Sequence, residues 1–534
     1  MVNSSSNVPG RPRFGPRGCW IGWLVLAVAL PGTALARDDE PVADTLGERS
    51  QKCQVTVCVP GQYQLRYFHL SDFPIDGTGK NHDVNNWGTQ RWRIRPKITF
   101  AKDVFIEAEA DLFTGRLAGD TTRDGREFLL EPQHRNDAFS GPRATDFRTL
   151  YLSWTTPIGL LRIGQQSSQF GLGILANDGN DESHTAFADT RLGDLSERVL
   201  FATKPLFFLK DNPAKDALIL AGGFDVVFRD DNANLVKGDL ALQGIVSLMW
   251  RTDPLTAGLY AAFRRQTDKD GSKLDANAID FFVRWVRPFD ALKAKLTIAA
   301  ELAILIATTD RIITDQATTG VDVLGVGGVL QTTFDIEVKG HQLSTRLELG
   351  FATGDNNRLD KDVRSFTFDP AYQVGMILFQ EVMQRVSARS VELASDPNLS
   401  AKPVKGLEFS STNGAITNAV YVNPVFRWRG PFGLGADLGL LFAWSAADVI
   451  DPWQTNGLHG GFNTNFLGAP AKSHWLGTEV DLGLSYRLPV RDLMAFVLSA
   501  QYGVYVPGSA FESPRGGPSL DPIHKVRTSF TVAW

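Results

Sequence analysis

Two neighbouring segments of this sequence carry charged side chains that alternate with apolar ones. These charged residues are the best placed in the sequence to act on ions or polar solutes. Basic side chains lie at every second position within the segment 88–100, and acidic ones do so within 103–113. Since successive side chains of a β-strand point to opposite faces, each charged row occupies one face of its strand. The two rows are Arg91, Arg93, Arg95 and Lys97, and Glu107, Glu109 and Asp111.

A short turn at residues 101–102 predicts that the two segments pair as a hairpin. If Phe100 pairs with Val104, three pairs of opposite charge face each other, and Arg91 lies opposite Phe113 as the least neutralised basic residue. The three pairs are Lys97 with Glu107, Arg95 with Glu109, and Arg93 with Asp111. Two roles stay open for this ladder: stiffening a wall, at under about 1 kcal/mol per pair, or conducting and selecting anionic solutes.

Sequence patterns of enzyme chemistry do not occur. The sequence has no Gly-x-Ser-x-Gly elbow, no phosphate-binding loop and no His-Glu-x-x-His motif, and its histidines are scattered singly. The formal net charge is −5, without the concentrated basic surface that nucleic-acid binding needs. We therefore expect no enzyme activity, no cofactor, no metal ion and no nucleic-acid partner.

The elements that position the charged rows are predicted from the alternation of apolar and polar residues. After residue 36 no stretch approaches the roughly 18 apolar residues of a membrane helix, and the longest candidate, Leu296–Ala307, is interrupted by Glu301. Alternation with a period of two recurs instead, most clearly from Leu476 to Leu488. Such segments, separated by turns, indicate strands with one face toward lipid and the other toward a polar lumen.

Eighteen such segments predict an all-β fold, a transmembrane antiparallel up-and-down β-barrel of about 18 strands, with 16 to 20 acceptable. Short connections alternate with long ones, which predicts short periplasmic turns and long extracellular loops. An Arg or Lys facing lipid at mid-bilayer would cost about 2 to 4 kcal/mol, so both charged rows are expected to face the lumen. The predicted strands are 61–70, 88–100, 103–113, 146–155, 159–170, 198–208, 217–228, 238–251, 255–266, 278–288, 292–306, 328–338, 341–352, 416–428, 433–446, 476–488, 493–506 and 524–534.

Both ends of the sequence carry export signals. Arg11, Arg13 and Arg17 precede an apolar run and a small-residue triplet that ends at Ala36, which is the layout of a cleaved secretory signal peptide. Its removal changes the formal net charge from −5 to −8, because three arginines and no acidic residue are lost. At the other end, alternation up to Trp534 resembles the signal by which outer-membrane barrels reach their assembly machinery.

We therefore expect a signal peptide at 1–36, a periplasmic segment at 37–60 and the barrel at 61–534. Cys53 and Cys58 lie in the periplasmic segment, where an oxidising compartment permits a disulfide. A disulfide requires a turn within residues 54–57, and two free thiols are the alternative. The expected location is the Gram-negative outer membrane, reached through the general secretory pathway.

Short motifs carry a resemblance to known channels. The chain has Tyr-x-x-Trp at 151–154, Pro-x-Gly at 157–159, Arg-x-Gly-x-Gln at 162–166 and Phe-Gly at 170–171. In these it resembles the general and substrate-specific porins of Gram-negative bacteria. The segments 351–356, 368–372, 477–482 and 501–508 are similar to the alginate-export family of barrels. The resemblance implies a pore-forming barrel with a charged lumen, and it does not imply alginate as the solute.

The porin resemblance also implies a role for the long connection 171–197. In general porins the third extracellular loop folds into the lumen, where its acids face basic wall residues. Asp178, Asp181 and Glu182 are therefore expected to form a constriction opposite the basic row, with an ordinary solvated loop as the alternative.

The connection 353–415 contains apolar residues at helical spacing. They predict a helix that plugs or lids the pore, and a misplaced wall strand is the alternative. These residues are Leu378, Val382, Val386 and Leu393.

Together these features predict a channel for passive diffusion of small hydrophilic solutes, anionic ones among them. The alternatives are a polysaccharide-export barrel and a structural or adhesive barrel that acts through its extracellular loops. Outer-membrane lipids, lipopolysaccharide and the barrel assembly machinery are the expected partners. The sequence leaves both a monomer and a homotrimer open.

We predict that the mature protein begins at Arg37 and fractionates with the outer membrane in a heat-modifiable form. A closed barrel keeps its backbone hydrogen bonds in detergent until it is boiled, so unheated samples should migrate differently in gels. N-terminal sequencing and fractionation test this. An intact N-terminus or an inner-membrane location would contradict it.

Overall fold

A single antiparallel sheet forms a closed wall in the part of the chain that the computed structural model describes. That part comprises residues 55–120, 145–180, 187–189, 193–209, 214–314, 316–357, 359–399, 405–491 and 493–534, so the expected signal peptide and Cys53 lie outside it. The first wall strand pairs with the last, and two hydrogen bonds of 3.0 Å between Gly61 and Trp534 complete the seam. Eighteen strands form the wall within these residues, which confirms the predicted fold class.

The wall strands are numbered β1 to β18 in chain order, and each overlaps one of the predicted strands. The first nine are β1 (Gly61–Leu70), β2 (Asn86–Ile94 and Lys97–Ala101), β3 (Val104–Gly119), β4 (Thr145–Thr156), β5 (Gly159–Ser167), β6 (Leu195–Thr203), β7 (Leu218–Arg229), β8 (Leu240–Arg251) and β9 (Leu255–Thr267). The other nine are β10 (Lys273–Phe289), β11 (Ala294–Thr309), β12 (Val321–Val338), β13 (His341–Ala352), β14 (Ala419–Arg429), β15 (Leu434–Trp444), β16 (Trp475–Val490), β17 (Met494–Pro507) and β18 (Ile523–Ala533).

Most connections at one end of the barrel are short turns and most at the other are long loops, with 204–217 and 268–272 as the exceptions. Described residues of loop 3, residues 168–194, and of loop 7, residues 353–418, enter the lumen, and apolar side chains of the connections 71–85, 445–474 and 508–522 join the same core. At the short-turn end, the residues before β1 add a short strand, Thr56–Cys58, which pairs with Lys97–Ala101. The segment that precedes the barrel therefore contacts the wall.

Loop 7 fills part of the lumen with a helix and a hydrophobic core. The helix is π-helical over Leu378–Met383 and α-helical over Gln384–Ser395, and it buries Leu378, Val382 and Val386 as their spacing predicted. Its apolar side chains join wall and loop 3 side chains in one cluster. The helix prediction is confirmed for this segment, while another part of loop 7, Asp362–Val363, forms a two-residue strand parallel to β12. No helix in the described ranges is long and apolar enough to cross a membrane.

An ion-pair network holds the loop 7 helix to the wall. The Glu381 carboxylate accepts hydrogen bonds from Lys525 Nζ at 2.6 Å and from Arg385 Nη2 at 2.8 Å. Burial raises the pKa of Glu381, but the charges of Lys525 and Arg385 lower it to about 2. The glutamate therefore stays charged at neutral pH and keeps both partners.

Leu476 departs from the predicted facing of β16. It was expected on the lipid side with Leu482, but it is buried in the lumen, whereas Leu482 is 50% exposed on the outside. Gly477 has a φ of +130°, and the register shifts beside Trp444 on the neighbouring strand. This irregularity reverses the alternation at one end of the strand.

We predict that Phe379→Ala loosens loop 7 while the wall stays closed. Phe379 is fully buried against Tyr421, and truncating a buried phenylalanine typically costs about 3 to 5 kcal/mol. Limited proteolysis should then cut loop 7 faster, with unchanged heat modifiability of the barrel. Leu399→Ala, at a side chain 53% exposed in the same loop, should leave proteolysis unchanged. Equal cleavage of both variants would contradict the packing role of Phe379.

Candidate functional site

A cavity of about 610 Å³, the chamber, lies in the lumen between loop 3 and one side of the wall. Among the described residues its lining combines three arginines with three carboxylates, and Tyr151, Tyr260 and Phe170 also border it. The charged residues are Arg95, Glu107, Glu109, Arg162, Asp178 and Arg198. A cavity with both signs of charge and aromatic rings suits small polar solutes.

Three ion pairs join β2 to β3 in the predicted register. The side chains of Arg93 and Asp111 are almost fully buried, whereas those of Lys97 and Arg95 are 42% and 46% exposed. The pairs are Lys97 with Glu107 at 3.4 Å, Arg95 with Glu109, and Arg93 with Asp111 through hydrogen bonds of 2.6 and 2.8 Å. The Arg93 pair therefore stiffens the wall, while Arg95 presents its charge to the chamber.

A bulge in β3 places Thr114 as well as the predicted Phe113 opposite Arg91. The residues on either side of Arg91 pair with Leu112 and Gly115, so two residues of β3 lie opposite one of β2. Phe113 has a φ of +48° and is 52% exposed, away from the lumen. Arg91 itself is buried like Arg93, and its positive charge acts on the loop 3 carboxylate of Asp189.

Arg148 of β4 belongs to the same charged cluster, and the sequence prediction missed it. Its buried guanidinium lies 2.9 Å from Glu109 and donates a hydrogen bond of 2.7 Å to the backbone oxygen of Asp178. A register shift next to Glu109 breaks the alternation, so that Arg148 and Thr149 both lie on the inner side. The available signal was an arginine inside a predicted membrane strand, since a charge facing lipid is costly.

Asn180 of loop 3 contacts three arginines of the wall at once. Its side-chain oxygen accepts hydrogen bonds from Arg93 at 2.6 Å, from Arg148 at 2.8 Å and from Arg95 at 3.4 Å. An amide oxygen satisfies guanidinium donors without adding negative charge. The positive potential of the cluster therefore reaches the chamber beside it.

The described acidic residues of loop 3 contact the wall in a different way from the predicted one. Loop 3 does fold into the lumen, and Asp178 borders the chamber. The Asp178 carboxylate accepts the backbone N–H of Asn180 at 2.9 Å, while only its backbone oxygen meets Arg148. Asp181 and Glu182 lie outside the described residues.

Asp189 is the loop 3 acid that bonds to the wall through its carboxylate. It pairs with Arg66 and lies 3.9 Å from Arg527, and its backbone N–H donates to Gln373 of loop 7 at 2.9 Å. Burial raises the pKa of Asp189, but the charges of Arg66 and Arg527 outweigh burial and lower it below its usual value. The resulting stabilisation is present above the ordinary aspartate pKa of about 3.9 and is lost as pH falls through the lowered value.

The chemistry available in the chamber is reversible binding. Guanidinium and carboxylate groups hold charged solutes through charge-assisted hydrogen bonds. Groups of three or more His, Cys, Asp or Glu side chains that could hold a metal ion do not occur in the part of the chain that the structure describes.

Known proteins resemble this chain only weakly. No model of a known protein family matches it, and no curated protein matches it significantly. Among solved structures, Pseudomonas aeruginosa OccK8 (OprE) is similar with a TM-score of 0.44 and 11% identity, over 89% of this chain and 98% of that one. Acinetobacter baumannii OccAB2 is similar with a TM-score of 0.43 and 12% identity, over 89% of this chain and 98% of that one. The resemblance to alginate-export barrels finds no support here and stays a hypothesis.

We predict that a cysteine in place of Arg95 reacts quickly with a small water-soluble thiol reagent, whereas one in place of Ile94 does not. Arg95 borders the chamber, while its neighbour Ile94 points to the other face of the wall. Labelling rates of the two variants in liposomes, with Cys53 and Cys58 replaced by serine, test this. The reverse pattern would show that the charged row does not face the water-filled side.

Proposed function

We propose that this protein is a channel of the Gram-negative outer membrane through which small hydrophilic solutes diffuse. The closed wall supports the proposal, because the described strands pair around the full circle. An unpaired backbone group in hydrocarbon costs several kcal/mol, so a sheet is stable in a bilayer only without open edges.

The outer surface of the wall supports a location in a membrane. Leu248, Leu259, Phe281 and Leu302 are neighbours in register across β8 to β11, and each has 37% to 47% of its surface exposed. A continuous apolar surface of this kind is unfavourable in water and favourable against lipid chains. The alternation seen in the sequence thus separates an apolar exterior from a charged interior.

The chamber is the single observation that carries the choice of a channel. The guanidinium groups of Arg95 and Arg162 border it together with the carboxylate of Glu107. The Asn180 amide is neutral, so it does not reduce the positive charge of the arginines that it contacts. We therefore propose a weak preference for solutes that carry a negative charge, since the carboxylates cancel part of the positive field.

The loops that enter the lumen favour small solutes over the alternatives. Loop 7 and its hydrophobic core occupy space that a polymer would need, which speaks against polysaccharide export. Much of loops 3 and 7 is buried in the lumen rather than presented outside, which speaks against a purely adhesive role.

Replacing Arg95 and Arg162 together by glutamine should shift the zero-current potential in a salt gradient toward cation preference. The substitution removes two positive charges from a narrow space in which screening is weaker than on an open surface. Purified protein in a planar bilayer, which should pass a steady current, provides the measurement.

Arg265→Gln is the matched control, because Arg265 pairs with Asp275 on the barrel surface and its side chain is 64% exposed. This variant should leave the zero-current potential unchanged. Absence of any steady current would reject the channel and favour a structural barrel. An unchanged potential in the double variant would show that solutes do not pass through the chamber.

A further inference from the structure

Loops 3 and 7 are held in the lumen by the same local arrangement. In each loop three consecutive backbone N–H groups donate to one buried wall carboxylate, that of Glu301 on β11 for loop 3 and that of Glu479 on β16 for loop 7. The donors are Leu172, Gly173 and Ile174 in loop 3, and Met376, Ile377 and Leu378 in loop 7. The distances are 3.1 Å for Gly173, 3.0 Å for Ile174, and 2.8 Å for both Ile377 and Leu378.

A glycine precedes each set of donors and allows the carboxylate to approach. Gly171 has a φ of +56° and Gly375 one of +68°, a conformation that favours glycine. A Cβ atom at position 171 would overlap the Glu301 carboxylate, and one at position 375 would collide with that of Glu479. The close approach of each wall glutamate to its loop therefore requires a glycine at position 171 or 375.

An aspartate lies near each glutamate, Asp280 near Glu301 and Asp481 near Glu479, and all four side chains are at most 2% exposed. Two carboxyl groups side by side and away from water repel each other when both are charged. The three N–H donors of each loop offset part of this cost.

We infer that Glu301 and Glu479 are positioning residues, that Glu301 holds loop 3 and Glu479 holds loop 7 in the lumen, and that Glu301 thereby sets the width of the chamber. A buried backbone N–H needs an acceptor, and a carboxylate that accepts three of them is the strongest one a wall side chain can offer. Phe170 and Ala176 flank the loop 3 donors and line the chamber, so movement of this segment changes the space. Only the role in chamber width rests on the proposed function.

Cysteine labelling of the full chain tests the two contacts against each other. Cys53 and Cys58 are replaced by serine, and a single reporter cysteine replaces Ala176 in loop 3 or Ala388 in loop 7, which are 6% and 0% exposed. Glu301→Gln should speed labelling at 176 by at least about tenfold and leave 388 slow, because it weakens the acceptor of loop 3 alone.

Glu479→Gln should speed labelling at 388 and leave labelling at 176 slow. Each variant is therefore the control for the other. Faster labelling of both reporters in both variants would indicate general loosening and would overturn the inference. Slow labelling of both reporters would overturn it as well.

Gly171→Ala attacks the same contact from the loop side and covers the case in which Glu301→Gln does not fold. It should reproduce fast labelling at 176, and the double variant should label no faster than either single one, because one contact is lost in each case. Gly244→Ala on β8 is the control, since a Cβ there meets nothing within 4 Å. Additive effects of Gly171→Ala and Glu301→Gln would overturn the assignment to one contact.

Single-channel conductance separates this inference from the proposed function. If the unmodified protein conducts, Glu301→Gln should change its conductance, and an unchanged conductance with fast labelling at 176 would overturn the role in chamber width. If no variant conducts while labelling follows the expected pattern, the proposed channel fails and the two positioning residues stand.

Discussion

Backbone hydrogen bonding is the constraint on which the interior of this barrel depends. Each wall strand uses its N–H and C=O groups to bond its two neighbours, so a loop that enters the lumen must find other acceptors. Glu301 and Glu479 supply them, each for three consecutive N–H groups. The hydrophobic core around loop 7 is compatible with a polar backbone only because such groups are satisfied within it.

The same requirement determines the electrostatics of the chamber. Arg93 and Arg148 are buried, so their guanidinium groups need acceptors, and wall carboxylates and Asn180 provide them. A carboxylate at position 180 would accept the same hydrogen bonds and would also cancel positive charge. The amide accepts the hydrogen bonds without cancelling charge. The neutral side chain of Asn180 therefore holds the arginines without lowering their positive charge.

The wall could be predicted from the sequence because lipid imposes one rule on every strand, namely apolar residues at alternate positions. The pairing of Arg93 with Asp111 followed from the same rule. The predicted register failed where a bulge interrupts it, since Phe113 and Thr114 together lie opposite Arg91. The prediction missed Arg148 for the same reason, since a register shift beside Glu109 changes which residues face inward.

The contacts inside the lumen could not be predicted, because no periodicity links their partners. Glu301 is 128 positions from Gly173, and in the sequence it is visible only as an interruption of an apolar run. Likewise, the spacing of Leu378, Val382 and Val386 predicted a helix, but nothing in that segment indicated that Glu479 would hold its beginning.

The contact between the two loops has a consequence for how this protein can diverge. The backbone of Asp189 in loop 3 donates to Gln373 in loop 7 across 184 positions of sequence, and side chains of both loops share one core. Gene recombination that exchanged only one of these loops would pair it with a loop whose side chains do not pack against it. The two loops are therefore expected to vary as one unit, while exposed stretches such as the one around Leu399 are expected to change independently of this core.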